Sequence, residues 1–422
     1  MNVLATKEKP QASSTFIDNV SLPVHRWFRF PAGFSAEWAR KVIEEQKKVK
    51  TDIVLLDPFA GVGTAVLAGE EAEVEAYGLD AQPFIARVAC AKLLWSTDVN
   101  EFTKLANSVL QDARKYENHL AEYPKLIHKC YPEHILRHLH ALRIAWMYAE
   151  DSSSASELTW LALTAILRSC SPVGTAPWQY VLPQKSKKNL VSPYDAFASQ
   201  VQKMASDMMF RQGLGMNRRG KVFYSDARYC NEIRENSITL VVTSPPYANN
   251  YDYADATRLE MTYWGEVQGW GDLQSKARRR LIRSCSQHVS IERLALSSVV
   301  YPLRDSPIIA ELEEVCRQLD CERLVHGGKK DYHLMVAAYF ADMFEVWKAL
   351  RRVCRENATV CFVVGDSAPY GIYVSVDRWL GELAVFAGFK SYRFEKIRDR
   401  NVKWKNRKHR IPLHEGHLWV KG

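Results

Sequence analysis

The stretch Ile53-Val-Leu-Leu-Asp57-Pro-Phe-Ala-Gly-Val-Gly-Thr64 decides the fold. Its first four residues, apolar and partly β-branched, read as a short strand buried on both faces. Asp57 and Pro58 end that strand, and a loop with Gly61 and Gly63 opens into an apolar helical pattern. Glycine lets the backbone come close to a ligand, and the start of a helix offers unpaired N–H groups. A dinucleotide fingerprint would place a third glycine at position 66, which is Val66, and a phosphate loop would need Gly-Lys-Ser/Thr. The loop is therefore shaped for a nucleoside ligand without clear provision for a pyrophosphate. The next strand, Val74 to Leu79, delivers Asp80 at about the ~20-residue spacing at which an acid binds ribose hydroxyls.

A second stretch, Thr239-Leu-Val-Val-Thr-Ser-Pro-Pro-Tyr247, repeats the logic further along the chain. Thr239 to Thr243 is another buried strand, and Pro245 and Pro246 stop it because neither can donate to a ladder. Ser244, before a proline, is driven towards an extended conformation. The product is a stiff corner at a strand's carboxyl end, where open α/β sheets place ligands. Its hydroxyl, its free carbonyl and the Tyr247 ring could hold a planar ring bearing an amino group. Taken alone, the tetrapeptide could equally be a turn. The strand Lys221 to Asp226 adds a third acid, so that Asp57, Asp80 and Asp226 converge on one rim beside the corner. A lone aspartate there would more simply cap a helix.

The 422 residues suffice for one large or two ordinary domains, and no apolar run approaches a membrane span. The N-terminus lacks a signal-peptide pattern, which gives an expectation of a cytoplasmic protein. Nine scattered cysteines without a Cys-x-x-Cys pair argue against a disulfide framework or a structural zinc site. A net charge of +9 points weakly to a polyanionic partner.

Residues 1–20 read as a mobile arm. The aromatic run Val24 to Phe34 follows, then a helix from Ser35, its N-cap, to about Lys48. From Gln82 to about Gly213 the pattern is helical throughout: Phe84–Trp95, Phe102–His119, His134–Tyr148, Glu157–Arg168 and Tyr194–Arg211. Arg258–Gly265 also reads as helical. An irregular basic stretch after it contains Lys276-Ala-Arg-Arg-Arg-Leu-Ile-Arg283 and His326-Gly-Gly-Lys-Lys330. Such runs are usually solvated faces, but in a protein that grips phosphates they become contact surfaces. A helix over His333–Glu356, a strand over Thr359–Val364, a helix over Val376–Ala387, the segment Phe389–Ile397, a very basic segment from Arg398 to Arg410 and a strand over His417–Val420 complete the chain.

With both stretches in view, the sequence resembles the amino-group DNA methyltransferases that use S-adenosylmethionine. Asp57 to Thr64 resembles their cofactor loop, Asp80 their ribose-binding acid, and Ser225-Asp-Ala-Arg228 their adenine-side segment. Thr243-Ser-Pro-Pro-Tyr247 resembles their catalytic motif, in the serine form typical of members that methylate the 4-amino group of cytosine. The aromatics Trp27 to Phe34 resemble the segment near the methionine end of the cofactor. Gly365-Asp-Ser367 and Glu415 to Lys421 resemble later sheet motifs. The cofactor loop precedes the catalytic corner here, whereas many serine-type members have the reverse order.

The resemblance implies an α/β, Rossmann-like methyltransferase fold with a mixed, mostly parallel sheet, a helical insert and a basic insert. The catalytic domain would comprise 21–95, 216–265 and 333–422, the helical insert 96–215 and the basic insert 266–332. It implies catalytic roles for Ser244, Pro245, Pro246 and Tyr247. It implies cofactor contacts from Asp57, Pro58, Phe59, Gly61, Gly63 and Thr64, from Asp80 and Asp226, and from Trp27 and Phe34. The basic insert is the favoured recognition element, with Arg278, Arg279, Arg280 and Arg283 on double-stranded DNA. No metal is expected to be needed, and a cognate restriction endonuclease is a candidate partner whose existence the sequence leaves open. Adenine N6 and an RNA amine are alternative targets. A nucleic-acid-binding protein with a degenerate methyltransferase fold is the alternative from another class.

Overall fold

The computed structural model describes residues 16–119, 122–175, 181–186, 190–217, 219–292, 294–400 and 411–422. Most of the expected N-terminal arm (1–15) and of the basic segment 398–410 (401–410) lies outside the described residues.

Among the described residues nine strands form in chain order: β1 (Val54–Asp57), β2 (Glu75–Asp80), β3 (Val173–Thr175), β4 (Val181–Ser186), β5 (Gly220–Tyr224), β6 (Ile238–Thr243), β7 (Cys354–Gly365), β8 (Ser391–Arg400) and β9 (Leu413–Lys421). Seven of them make one sheet in the order β5-β2-β1-β6-β7-β9-β8. The first five are mutually parallel, and β9 runs antiparallel to both β7 and β8. The order turns back on itself between β1 and β6, so a crevice opens outside their carboxyl ends, where such sheets bind ligands.

Parallel strands covered on both faces need apolar residues at every position, and all six residues of β6 are buried. Successive side chains alternate between faces. Leu240 and Val242 join one core cluster, while Val241 joins the other. The first cluster is closed by the helices Ala36–Lys47, Thr64–Glu71 and Pro83–Lys92; the second by Tyr332–Val353 and Val376–Phe386. Ser35 caps the first helix, its hydroxyl accepting from Trp38 N at 3.3 Å.

The helical stretch between β2 and β5 does not form a core of its own. Leu139, Trp160 and Phe197 from its helices share one continuous cluster with Leu55 and Ala76 of the sheet. The small antiparallel pair β3–β4 interrupts it, where the sequence reading expected helix alone. The basic stretch is also more ordered than its composition suggests. It contains short helices and one of 17 residues, Ile309–Val325, which buries Leu312, Cys316 and Leu319. Their spacing of four and three residues is the helical signal that the dense charge obscured.

Candidate active site at the carboxyl ends of β1 and β6

Asp57 ends β1 and is wholly buried. Its Oδ1 accepts from Phe59 N at 3.0 Å and from the hydroxyl of Thr243, which ends β6. Its Oδ2 has no hydrogen-bond partner among the described residues. Burial pushes this carboxyl up to about 7, against the pull of those two donors. Asp80 ends β2 and accepts from Gly61 N at 2.9 Å and from Gln82 N at 2.8 Å. Desolvation raises it to about 7 as well. Two carboxyls poised near neutrality in one crevice mark a candidate functional site.

The loop between them is bent for close approach. Gly61 has a φ of +52°, and a Cβ there would meet the Phe30 ring at 3.3 Å. Gly63, at φ 85°, caps the helix Thr64–Glu71. Beside this loop opens a pocket with about 830 Å³ of empty space, counting the solvent at its mouth. Pro58, Phe59, Gly61 and Thr64 line it, together with the carboxylates of Asp80 and Asp226. Ser244, Pro246 and Phe34 line it as well.

The structure thus gathers most of the residues singled out from sequence. Asp57, Gly63, Pro245 and Tyr247 are not among the residues that line the cavity. Trp27 is a correction: it is 1% exposed, and its indole N–H donates to Asp207 at 2.9 Å, away from the cavity. Phe30, three residues on, supplies the ring on the cavity instead. Tyr253 also faces the cavity, and its hydroxyl oxygen accepts from Tyr247 N at 3.3 Å. Both lay in stretches rich in aromatics, where spacing alone does not say which ring turns inward. Asp226 is held by Arg228, whose Nη2 donates to Oδ2 at 2.6 Å, and Arg228 also reaches Asp342 at 3.2 Å.

The four arginines of the basic stretch separate into two kinds. Arg278 is buried and paired with Asp252, and Arg283 donates to Asp342 at 2.7 Å. Each is therefore engaged in holding its own loop. Arg279 and Arg280 are exposed. Arg280 and the two residues after it also close the cavity, so this stretch bears on the ligand site as well as the surface. An exposed Trp270 stands nearby with the Arg258 guanidinium 4.2 Å from its ring centroid.

A parallel sheet with one reversed strand beside its edge, a glycine loop after β1 and an acid after β2 define a Rossmann-like methyltransferase fold. The sequence comparisons agree. Type II methyltransferase M.AvaI of Nostoc sp. and of Anabaena variabilis is 24% identical over 410 residues, covering 89% of this chain and 81% of the relative. Type II methyltransferase M.BsoBI of Geobacillus stearothermophilus is 24% identical over 429 residues, covering 90% and 82%. These similarities bear out the resemblance to the amino-group DNA methyltransferase family. No family model matches the chain, and no solved structure matches it.

Proposed function

We propose that this chain is a DNA methyltransferase that moves a methyl group from S-adenosylmethionine to the exocyclic amine of a flipped base, with cytosine N4 as the target. The observation that carries the reading is a shared wall: Ser244 and Pro246 face the same cavity as Gly61, Asp80 and Asp226. The amine-holding corner and the nucleoside cradle are therefore one site.

The residues present fit the cofactor. The buried, unpartnered Oδ2 of Asp57 suits an ammonium group at the methionine end. Asp80 keeps lone pairs for ribose hydroxyls beyond its two backbone donors. Asp226 and Ala227 border the cavity where an adenine edge would lie, and Phe30 and Phe34 supply apolar cover. Bound there, the cofactor supplies an electrophilic methyl on a sulfonium.

The chain's own part is orientation. An exocyclic amine is a weak nucleophile because its lone pair is delocalised into the ring. Ser244 Oγ and the Pro245 carbonyl accept its two N–H bonds, drawing the nitrogen towards tetrahedral geometry and aiming its lone pair across the cavity. Tyr247 stacks on the base after extrusion from the duplex. The exposed Arg279 and Arg280 offer phosphate contacts. The relatives' designation as type II methyltransferases supports a cognate restriction endonuclease as partner.

DNA from a host without endogenous base methylation, expressing this chain, should contain N4-methylcytosine on nucleoside analysis. N6-methyladenine would move the target to adenine. Unmodified DNA from cells holding abundant folded protein would contradict the reading.

A further inference from the structure

The guanidinium of Arg400 lies by the ring of Tyr247, its central carbon 5.1 Å from the ring centroid. Arg400 ends β8, paired in register with Leu413 of β9. Its Nη1 donates to the Asp366 carbonyl at 2.8 Å, and its Nε stands 3.9 Å from Glu415 Oε2. A Cβ on Gly365 would come within 2.5 Å of Nη1, so the glycine at the end of β7 leaves room for the guanidinium where it lies. The side chain is 18% exposed. Its Nη2 has no hydrogen-bond acceptor among the described residues.

An arginine anchored at one arm, largely withdrawn from water, with free donors beside the tyrosine of the catalytic corner, is built to meet acceptors on whatever that tyrosine holds. We propose that Arg400 is a specificity-determining residue whose free N–H donors read the acceptor edge of the flipped base. This rests on the methyltransferase reading above. With its 4-amino group at Ser244, cytosine presents N3 and then O2 along the adjoining edge. Adenine, with its 6-amino group in the same place, presents N1 and then a C–H. Two acceptors satisfy the guanidinium; one leaves a donor unpaired in a poorly hydrated site, which is where discrimination arises. Arg400 thereby favours cytosine over adenine independently of the serine at position 244. Lysine carries the charge but lacks the planar fork.

The test uses the full chain, its Arg400→Ala and Arg400→Lys variants, labelled S-adenosylmethionine and amplified, unmethylated genomic DNA. Both variants should lose ~10-fold or more in kcat/KM for N4-methylcytosine, with cofactor affinity by calorimetry and the melting temperature close to wild type. Wild-type turnover in Arg400→Ala overturns the proposal, and so does full rescue by Arg400→Lys, which would show that charge alone matters. A wild-type chain that methylates adenine or no base overturns the underlying reading instead, and that result is visible before any variant is made.

Discussion

Thr243, the last residue of β6, donates its hydroxyl to the buried carboxylate of Asp57, the last residue of β1. The bond ties the Ser-Pro-Pro-Tyr corner to the glycine loop across 186 positions of sequence. It also favours the charged form of Asp57, against the burial that raises it to about 7.

Thr243→Val keeps the shape and removes that donor. Asp57 should then titrate above its present value, and the fold should lose about 1–3 kcal/mol because a buried acceptor is left short of a partner. The checks are denaturant unfolding and cofactor affinity at neutral pH, which should fall. Unchanged affinity would separate the two halves of the site.

The neutral forms of Asp57 and Asp80 give opposite pH trends for folding and for binding. In the unfolded chain both titrate near 3.8, and in the folded one near 7. Between those values the native state holds protons that the unfolded state has released, so their contribution to stability is full below the lower value. It is lost as pH rises through about 7. A cationic cofactor prefers the ionised carboxylates, so its affinity should rise over the same window, with proton release on binding. Melting temperature and calorimetric affinity, followed from about pH 5 to about pH 8, should move in opposite directions. Asp80→Asn should flatten both curves.

Much of this site was legible in sequence, because its signals are local. Strand, glycine loop, helix and acid follow one another within 53–80, and the prolines after Thr243 fix their corner without help. What was not legible depends on contacts between distant residues. Trp27 and Phe30 look alike as text, and only Asp207, in the helix Pro193–Gly213, decides which one is pinned inward. Arg278 and Arg279 are adjacent identical residues, and burial against Asp252 separates their roles. The ring of Tyr247 could be assigned to stacking from its motif, but its arginine neighbour comes from β8.

Asp207 gathers Val24 N at 3.0 Å, the Arg26 guanidinium and the Trp27 indole onto one carboxylate. Val24 is held at φ 67°, with His25 N bonded to Pro23 O, a tight turn unfavourable for a β-branched residue. The carboxylate stabilises that turn and so aims Phe30 and Phe34 at the cavity. Asp207→Asn should cost about 3 kcal/mol, in the range for breaking a buried pair. It should raise the KM for S-adenosylmethionine more than it lowers kcat. Equal loss of both would mean that the carboxylate serves the fold alone.

Ser244→Ala removes one of the two acceptors proposed for the amine while leaving the glycine loop and Asp80 in place. Turnover should fall by ~100-fold, the scale seen when one preorganised hydrogen bond to a transition state is lost. Cofactor affinity by calorimetry should stay near wild type. Full activity would remove the serine from the chemistry.

The most direct measurement is transfer of labelled methyl from S-adenosylmethionine to duplex DNA by the purified chain, followed by nucleoside digestion and mass spectrometry. A labelled peak at N4-methylcytosine is the predicted result, since it requires the cradle at β1 and the corner at β6 to act on one base. Folded protein that binds the cofactor yet places no label on DNA would contradict the account.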